Sequence, residues 1–162
     1  MAIKRIIVEG SDCSGKSTVV ERLKNFLRWD SKSLHHIEGD QFKRYLREYS
    51  FSDFVIFDRS HFSEIVYSIL WRNGSPFSES EKMILDFLAQ KETIIILSCP
   101  SLELMKERYS SRNFTQQIKL EELEKARNLF LEALEGIPYL FYSSKNFEEL
   151  DFLIEKVKEI VK

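Results

Sequence analysis

Gly10-Ser11-Asp12-Cys13-Ser14-Gly15-Lys16-Ser17 constrains the fold more than any other stretch of the chain, because it matches the pattern G-x-x-x-x-G-K-S/T in a telling context. A β-branched run, Ile3-Lys4-Arg5-Ile6-Ile7-Val8, stops just before Gly10. An amphipathic stretch carrying Val19, Val20, Leu23, Phe26 and Leu27 begins just after Ser17. Strand, glycine loop and helix in that order make an anion cradle. The glycines let successive backbone N–H groups turn toward one point, at a helix N-terminus whose dipole already favours negative charge. Lys16 then reaches the outer phosphates of a nucleotide, and the Ser17 hydroxyl is a Mg²⁺ ligand. Gly10, Cys13, Ser14, Gly15, Lys16, Ser17 and Thr18 are therefore the expected donor-nucleotide residues, with ATP and Mg²⁺ as the expected cofactors.

The remaining pattern agrees with a strand–loop–helix start. Phe54-Val55-Ile56-Phe57 and Thr93-Ile94-Ile95-Ile96-Leu97 are continuous apolar runs of strand length, as strands buried on both faces require. Leu34–Ile37 and Tyr139–Tyr142 are weaker strand candidates. Helical patterns lie between them: Ser78 with Glu81 reads as a capping box, and Asn146 with Glu149 opens a C-terminal helix. Gly74 before Pro76 and Gly136 before Pro138 mark helix ends. The alternation predicts a three-layer α/β fold with five strands, most or all parallel, in one domain over residues 1–162. Its 162 residues and 43% hydrophobic content suit one sizeable core and exclude a disordered chain.

A net charge of −2 leaves no overall basic field for a long polyanion. Two cysteines are too few for a disulfide framework, and no apolar stretch reaches membrane-spanning length. With no signal-peptide pattern at the start, the expectation is a soluble, cytoplasmic protein with no membrane partner.

A second constellation follows the Phe54–Phe57 run. Asp58-Arg59-Ser60 stands at the C-terminal end of a strand, the ligand-binding edge of an open α/β sheet. Asp58 there suits Mg²⁺ held through water, and Arg59 suits a phosphate gripped by two parallel hydrogen bonds. The competing reading makes Asp58 a helix cap and leaves Arg59 in solvent. No Asn-Lys-x-Asp element follows a later strand, which speaks against a guanine-specific switch, and the short chain speaks against a motor.

On these residues the chain resembles the thymidylate kinase family. Val8-Glu9-Gly10-Ser11-Asp12-Cys13-Ser14-Gly15-Lys16-Ser17-Thr18 is similar to that family's phosphate-loop signature, and Asp58-Arg59-x-x-x-Ser63-x-x-x-Tyr67 to its Asp-Arg-Tyr-x-x-Ser-x-x-Ala-Tyr signature. The resemblance implies a P-loop NTPase fold with sheet order 2-3-1-4-5. It implies ATP-dependent phosphoryl transfer to a nucleotide-type acceptor, a deoxynucleoside monophosphate first of all. It gives Asp12 a role at the acceptor and Arg59 the acceptor phosphate, with Ser63 and Tyr67 along the acceptor pocket. Arg108 and Arg112, in a lid-like segment around 108–118, resemble the family's arginine pair, one near the adenine and one near the transferring phosphate. Arg127 resembles a later family arginine.

The chain departs from the family at two places. Position 60 is Ser where the family has Tyr. The segment from Glu38 to Tyr49 has room for one short helix, around 40–50, where thymidylate kinases carry a longer one that holds the base. Within it Phe42 is a candidate to stack on a base, and Glu38 or Asp40 to orient an acceptor hydroxyl. Core packing and helix capping are the competing roles. His35 and His36, read as strand neighbours, point to opposite faces and cannot share a metal. A nucleoside acceptor and an acceptor base or end within nucleic acid stay open, as does a homodimer. A nucleotide-binding regulator without turnover is the alternative of another class.

Overall fold

The computed structural model describes residues 2–111 and 118–162. Five strands form one sheet: β1 (Arg5–Glu9), β2 (Asp30–Ser33), β3 (Val55–Asp58), β4 (Thr93–Ser98) and β5 (Leu140–Tyr142). Their order is β2-β3-β1-β4-β5, and every pairing is parallel. Seven helices cross over the sheet: α1 (Lys16–Leu27), α2 (Gln41–Phe51), α3 (His61–Trp71), α4 (Glu79–Gln90), α5 (Leu102–Ser111), α6 (Leu123–Ala133) and α7 (Phe147–Val161). Among the described residues the crossover from β3 to β4 holds α3 and α4, and that from β4 to β5 holds α5, a short 3-10 turn (Leu120–Glu122) and α6.

Strand periodicity divides the core between the two sheet faces. Ile6, Val8, Ile56, Ile94 and Ile96 pack with Val19, Val20 and Leu23 of α1 and with Leu150, Leu153, Ile154 and Val157 of α7. Ile7, Phe57, Ile95 and Leu97 pack on the other side with Tyr45 and Tyr49 of α2, Phe62 and Val66 of α3, Leu85 of α4 and Phe130 of α6. Both faces are covered, as an all-parallel sheet requires. The expected caps form: Ser78 and Glu81 make the capping box of α4, and the Asn146 side chain accepts from Glu149 N at the start of α7.

One strand lies elsewhere than expected. The second strand is Asp30–Ser33, not Leu34–Ile37, and all four of its residues are exposed. It is an edge strand held by backbone pairing to β3, with Ser33 opposite Asp58, so no apolar pattern marks it. Leu34 is buried just beyond the strand, where its N–H donates to Asp58 O at 2.9 Å. His35 and His36 accordingly belong to the connection toward α2, not to a strand. Among the described residues no helix is long and apolar enough to cross a membrane.

The helix that follows β3 is buried from His61 to Ser68, which fixes it firmly against its neighbours. Its first residue, His61, is fully buried. Nδ1 meets the Tyr49 hydroxyl at 2.7 Å and Nε2 meets Asp86 Oδ1 at 2.9 Å, tying α3 to α2 and α4. An ionised Asp86 only accepts, so the neutral ring donates from Nε2 and accepts from Tyr49. Lys82 on α4 completes the cluster through Asp86 Oδ2.

Burial lowers the His61 pKa, and the hydrogen bond and charge of Asp86 only partly oppose it. The unfolded chain thus binds a proton at a higher pH than the native state does. Stability from this site should be intact above about pH 6.5 and should fall as the pH drops through the native pKa. Urea unfolding from pH 7.5 to 5 should show that loss, and His61→Gln should flatten it.

Candidate active site

The phosphate loop is built by close backbone approach. Gly10 has φ 143°, and a Cβ there would stand 2.3 Å from Ser98 O. Gly15 has φ 94°, and its Cβ would stand 2.4 Å from Ser144 Oγ. Neither position accepts a side chain. Ser98, at the end of β4, donates from Oγ to Ser14 O at 2.7 Å and fastens the loop to the sheet. Cys13 adopts the left-handed region at φ 64° and packs with Met105, Ile118, Leu123 and Ala126. No disulfide joins Cys13 and Cys99.

Lys16 opens α1 and is nearly buried, with Nζ donating to Ser11 O at 3.3 Å. Burial, with the Arg59 charge nearby, pushes its ammonium down to about 8, while Asp58, Asp12 and Glu9 pull the other way. Ser17 and Thr18 are exposed on the first turn of the same helix. Ser14 Oγ and Asp58 Oδ1 are buried with no hydrogen-bond partner among the described residues. Ser14 belongs to the loop itself, and Asp58 stands beside it because β1 and β3 are neighbours, with Val8 opposite Asp58.

Arg59 turns the chain from β3 into α3. Its backbone is left-handed at φ 76°, a conformation unfavourable for a side chain with a Cβ. Its N–H donates to Val8 O at 3.1 Å. The guanidinium pairs with Asp12 Oδ1 at 2.9 Å and lies over the Tyr67 ring, 4.8 Å from its centroid. Burial works against its charge, but Tyr67, Asp12 and Glu9 outweigh that and hold the pKa above its ordinary value.

Beneath this turn lies a group the motif comparison left without a role. Glu9, the last residue of β1, is fully buried. It accepts from Ser60 Oγ and Ser63 Oγ, and from Ser63 N at 3.4 Å. Burial raises its carboxyl pKa, while the two hydroxyls, Lys16 and Arg59 favour the ionised form. Ser60 is also the N-cap of α3. The Ser63 hydroxyl is thus committed to Glu9, although Ser63 does line the cleft in front of it.

That cleft, about 820 Å³, runs along α3 from Asp58 and Arg59 past Ser63, Glu64 and Tyr67 to Arg72. The segment after β2, from Ser33 to His36, forms another wall. Glu38 is exposed and Phe42 packs against the core; neither lines the cleft. Asp40 caps α2 by accepting from Lys43 N at 3.0 Å.

A second cleft of about 270 Å³ opens on the other side of the loop, lined by Gly15, Thr18, Arg108, Ser144, Lys145 and Asn146 among others. Arg108 donates to Cys13 O at 3.3 Å and to Ser144 O at 2.6 Å, so it braces the outside of the loop. Arg127 donates to Pro100 O at 2.9 Å. Arg112 lies outside the described residues.

The sequence patterns assign no site role to Glu9, Glu64, Arg72 or the turn at Ser144 and Lys145. One signal was present: Glu64 is a carboxylate inside an otherwise apolar helical run, and a buried charge must find partners. It finds three, accepting at Oε1 from Arg72 at 2.8 Å, His36 at 2.8 Å and Ser68 at 3.4 Å.

No protein-family model matches the chain, and no curated protein matches it by sequence. Solved structures do match over nearly its whole length. The YorR protein from Bacillus subtilis, in complex with phosphorylated GDP, is 20% identical with a TM-score of 0.80, covering 97% of this chain and 95% of that one. Deoxyadenosine kinase from M. mycoides is 16% identical with a TM-score of 0.60, covering 96% and 100%. Thymidylate kinase from Candida albicans is 16% identical with a TM-score of 0.58, covering 99% and 91%. The chain has the fold of the P-loop kinases.

Replacing Glu9 with Ala takes away the acceptor for the buried Ser60 and Ser63 hydroxyl protons. The expected loss is about 2–4 kcal/mol of stability by urea unfolding, because each unsatisfied buried group costs about 1–3 kcal/mol. Glu9→Gln, which can still accept from one serine, should lose less.

Proposed function

We propose that the chain is a kinase that uses ATP and Mg²⁺ to phosphorylate a nucleotide-type acceptor, a deoxynucleoside monophosphate. The observation that carries this reading is the convergence of Lys16, Asp12, Asp58 and Arg59 where the phosphate loop meets the large cleft. Two clefts on opposite sides of one phosphate loop suit a donor and an acceptor whose phosphates meet between them. The guanidinium of Arg59 is kept charged and aimed by Asp12, as an acceptor phosphate needs. The phosphorylated GDP in the YorR complex supports a nucleotide as ligand of this fold.

The roles follow from the positions. The backbone from Cys13 to Thr18 and Lys16 hold the donor phosphates, and Arg108 and the Ser144–Asn146 turn border the donor base. Asp58 Oδ1, buried with no hydrogen-bond partner among the described residues, and the exposed Ser17 hydroxyl would hold a hydrated Mg²⁺. When bound, that ion neutralises charge on the β- and γ-phosphates. Asp12 and Arg59 orient the acceptor phosphate for in-line attack. Lys16, together with a lid arginine in the role assigned to Arg112, stabilises charge on the transferring group. A monophosphate acceptor needs no strong base, since its own oxygen attacks. A nucleoside hydroxyl would need one, and Glu38 and Asp40 stand away from the cleft.

Labelled ATP with a panel of nucleosides, mononucleotides and an oligonucleotide tests this directly. Transfer to mononucleotides is expected, with a loss of at least about 100-fold in kcat in Lys16→Ala, the scale of removing one electrostatic stabiliser. Undiminished transfer in Lys16→Ala, or ATP binding with no acceptor phosphorylated, would overturn the assignment.

The pH dependence has a fixed sign. Phosphate requires charged Lys16, yet in the free protein this ammonium loses its proton near pH 8. ATP binding above that pH therefore takes up a proton, and affinity should fall by up to about tenfold per pH unit. Calorimetry at pH 8.5 in two buffers of different ionisation enthalpy measures the uptake.

A further inference from the structure

The proposed acceptor cleft ends in a group of side chains with no task in phosphoryl transfer. Arg72 follows the last turn of α3, and its guanidinium folds back along the helix. Nη2 donates to Glu64 Oε1 at 2.8 Å and Ser68 Oγ at 2.9 Å, and Nε donates to Ser68 Oγ at 3.1 Å. Nη1 makes no hydrogen bond among the described residues, and Arg72 lines the cleft. Glu64 is likewise held at Oε1 alone, while Oε2 receives no donor among the described residues. One donor-only group and one acceptor-only oxygen thus sit side by side at the cleft with no protein partner among the described residues.

An aromatic surface lies beside them. Trp71 stacks on Tyr67 with ring centroids 4.8 Å apart, and it stays 38% exposed while lining the cleft. Glu64 lies about one turn into α3, whose N-cap Ser60 directly follows Arg59, and one cleft runs from Arg59 past Glu64 to Trp71 and Arg72. A phosphate on Arg59 therefore leaves a base within reach of Glu64 and Trp71.

We infer that Arg72 and Glu64 read the base of the acceptor nucleotide, and that this base carries a ring N–H beside a carbonyl oxygen, as guanine, thymine and uracil do. The inference rests on the cleft being the acceptor site, as proposed above. Arg72 approaches from the end of α3 remote from Arg59, so it meets the exocyclic group farthest from the sugar. In guanine, thymine and uracil that group is an oxygen, which accepts from Nη1, and the adjacent ring N–H donates to Glu64. In adenine and cytosine it is an amine, which would set donor against donor and leave both unsatisfied. The segment between β2 and β3 holds only α2, whose Phe42, Tyr45 and Tyr49 pack into the core, and the end of α3 supplies an arginine and an aromatic face to the cleft instead.

The test is a panel of dGMP, dTMP, dUMP, dAMP and dCMP, with direct binding by calorimetry beside kcat/KM with Mg-ATP. The first three should exceed the last two by about 100-fold or more, as a site built to pair with one polar edge discriminates. Comparison within the first three identifies purine or pyrimidine. Arg72→Gln, whose amide presents either an oxygen or an amine, should shrink the ratio to within about tenfold by weakening the oxo bases and strengthening the amino bases. Arg72→Lys, still a donor only, should keep the order of preference. Equal or better binding of dAMP or dCMP, binding of none of the five, or an equal drop for all five in Arg72→Gln would overturn the inference. Selective binding of the oxo bases without phosphoryl transfer would support it and overturn the kinase assignment instead.

Discussion

The buried carboxylate of Glu9 is the interaction on which the arrangement of the site depends. It ends the central strand immediately before the phosphate loop, and it takes hydrogen bonds from both serines at the start of α3. Besides the Arg59–Asp12 ion pair, that bond is what ties the loop after β1 to the turn after β3 through side chains. A charged group without solvent is expensive, and this one is accommodated because two hydroxyls and two cations surround it. The same carboxylate fixes where Arg59 leaves the sheet, since Ser60 is both its donor and the cap of the following helix.

From that junction the electrostatics extend in two directions. Lys16 and Arg59 carry positive charge beside each other, and Asp12, Asp58 and Glu9 counterbalance them. A bound anion would relieve the repulsion between the two cations, in keeping with the proposed phosphate role. Farther along α3, Glu64 repeats the device: one buried carboxylate orders Arg72, His36 and Ser68.

The legible parts of the sequence were those whose chemistry is local. The phosphate loop is read from eight consecutive residues, and Asp58-Arg59 from a strand that ends where the pattern says. The capping box at Ser78 and the Asn146 cap are equally local. The second strand was misplaced because an edge strand needs no apolar side chains: Asp30–Ser33 is defined by its partner β3, and the buried Leu34 next to it drew attention away. Glu9 with Ser63, and Glu64 with His36, are pairings between segments far apart in the chain, and no spacing rule reveals them. Phe42 shows the converse: an aromatic in a promising segment packs against the core instead.

The left-handed backbone at Arg59 has a consequence for how such a chain evolves. A side chain at φ 76° holds strain of about 1–3 kcal/mol that glycine would release. Glycine here would also remove the guanidinium that Asp12 and Tyr67 hold. If Arg59 binds phosphate as proposed, backbone relaxation and function pull this one position in opposite directions.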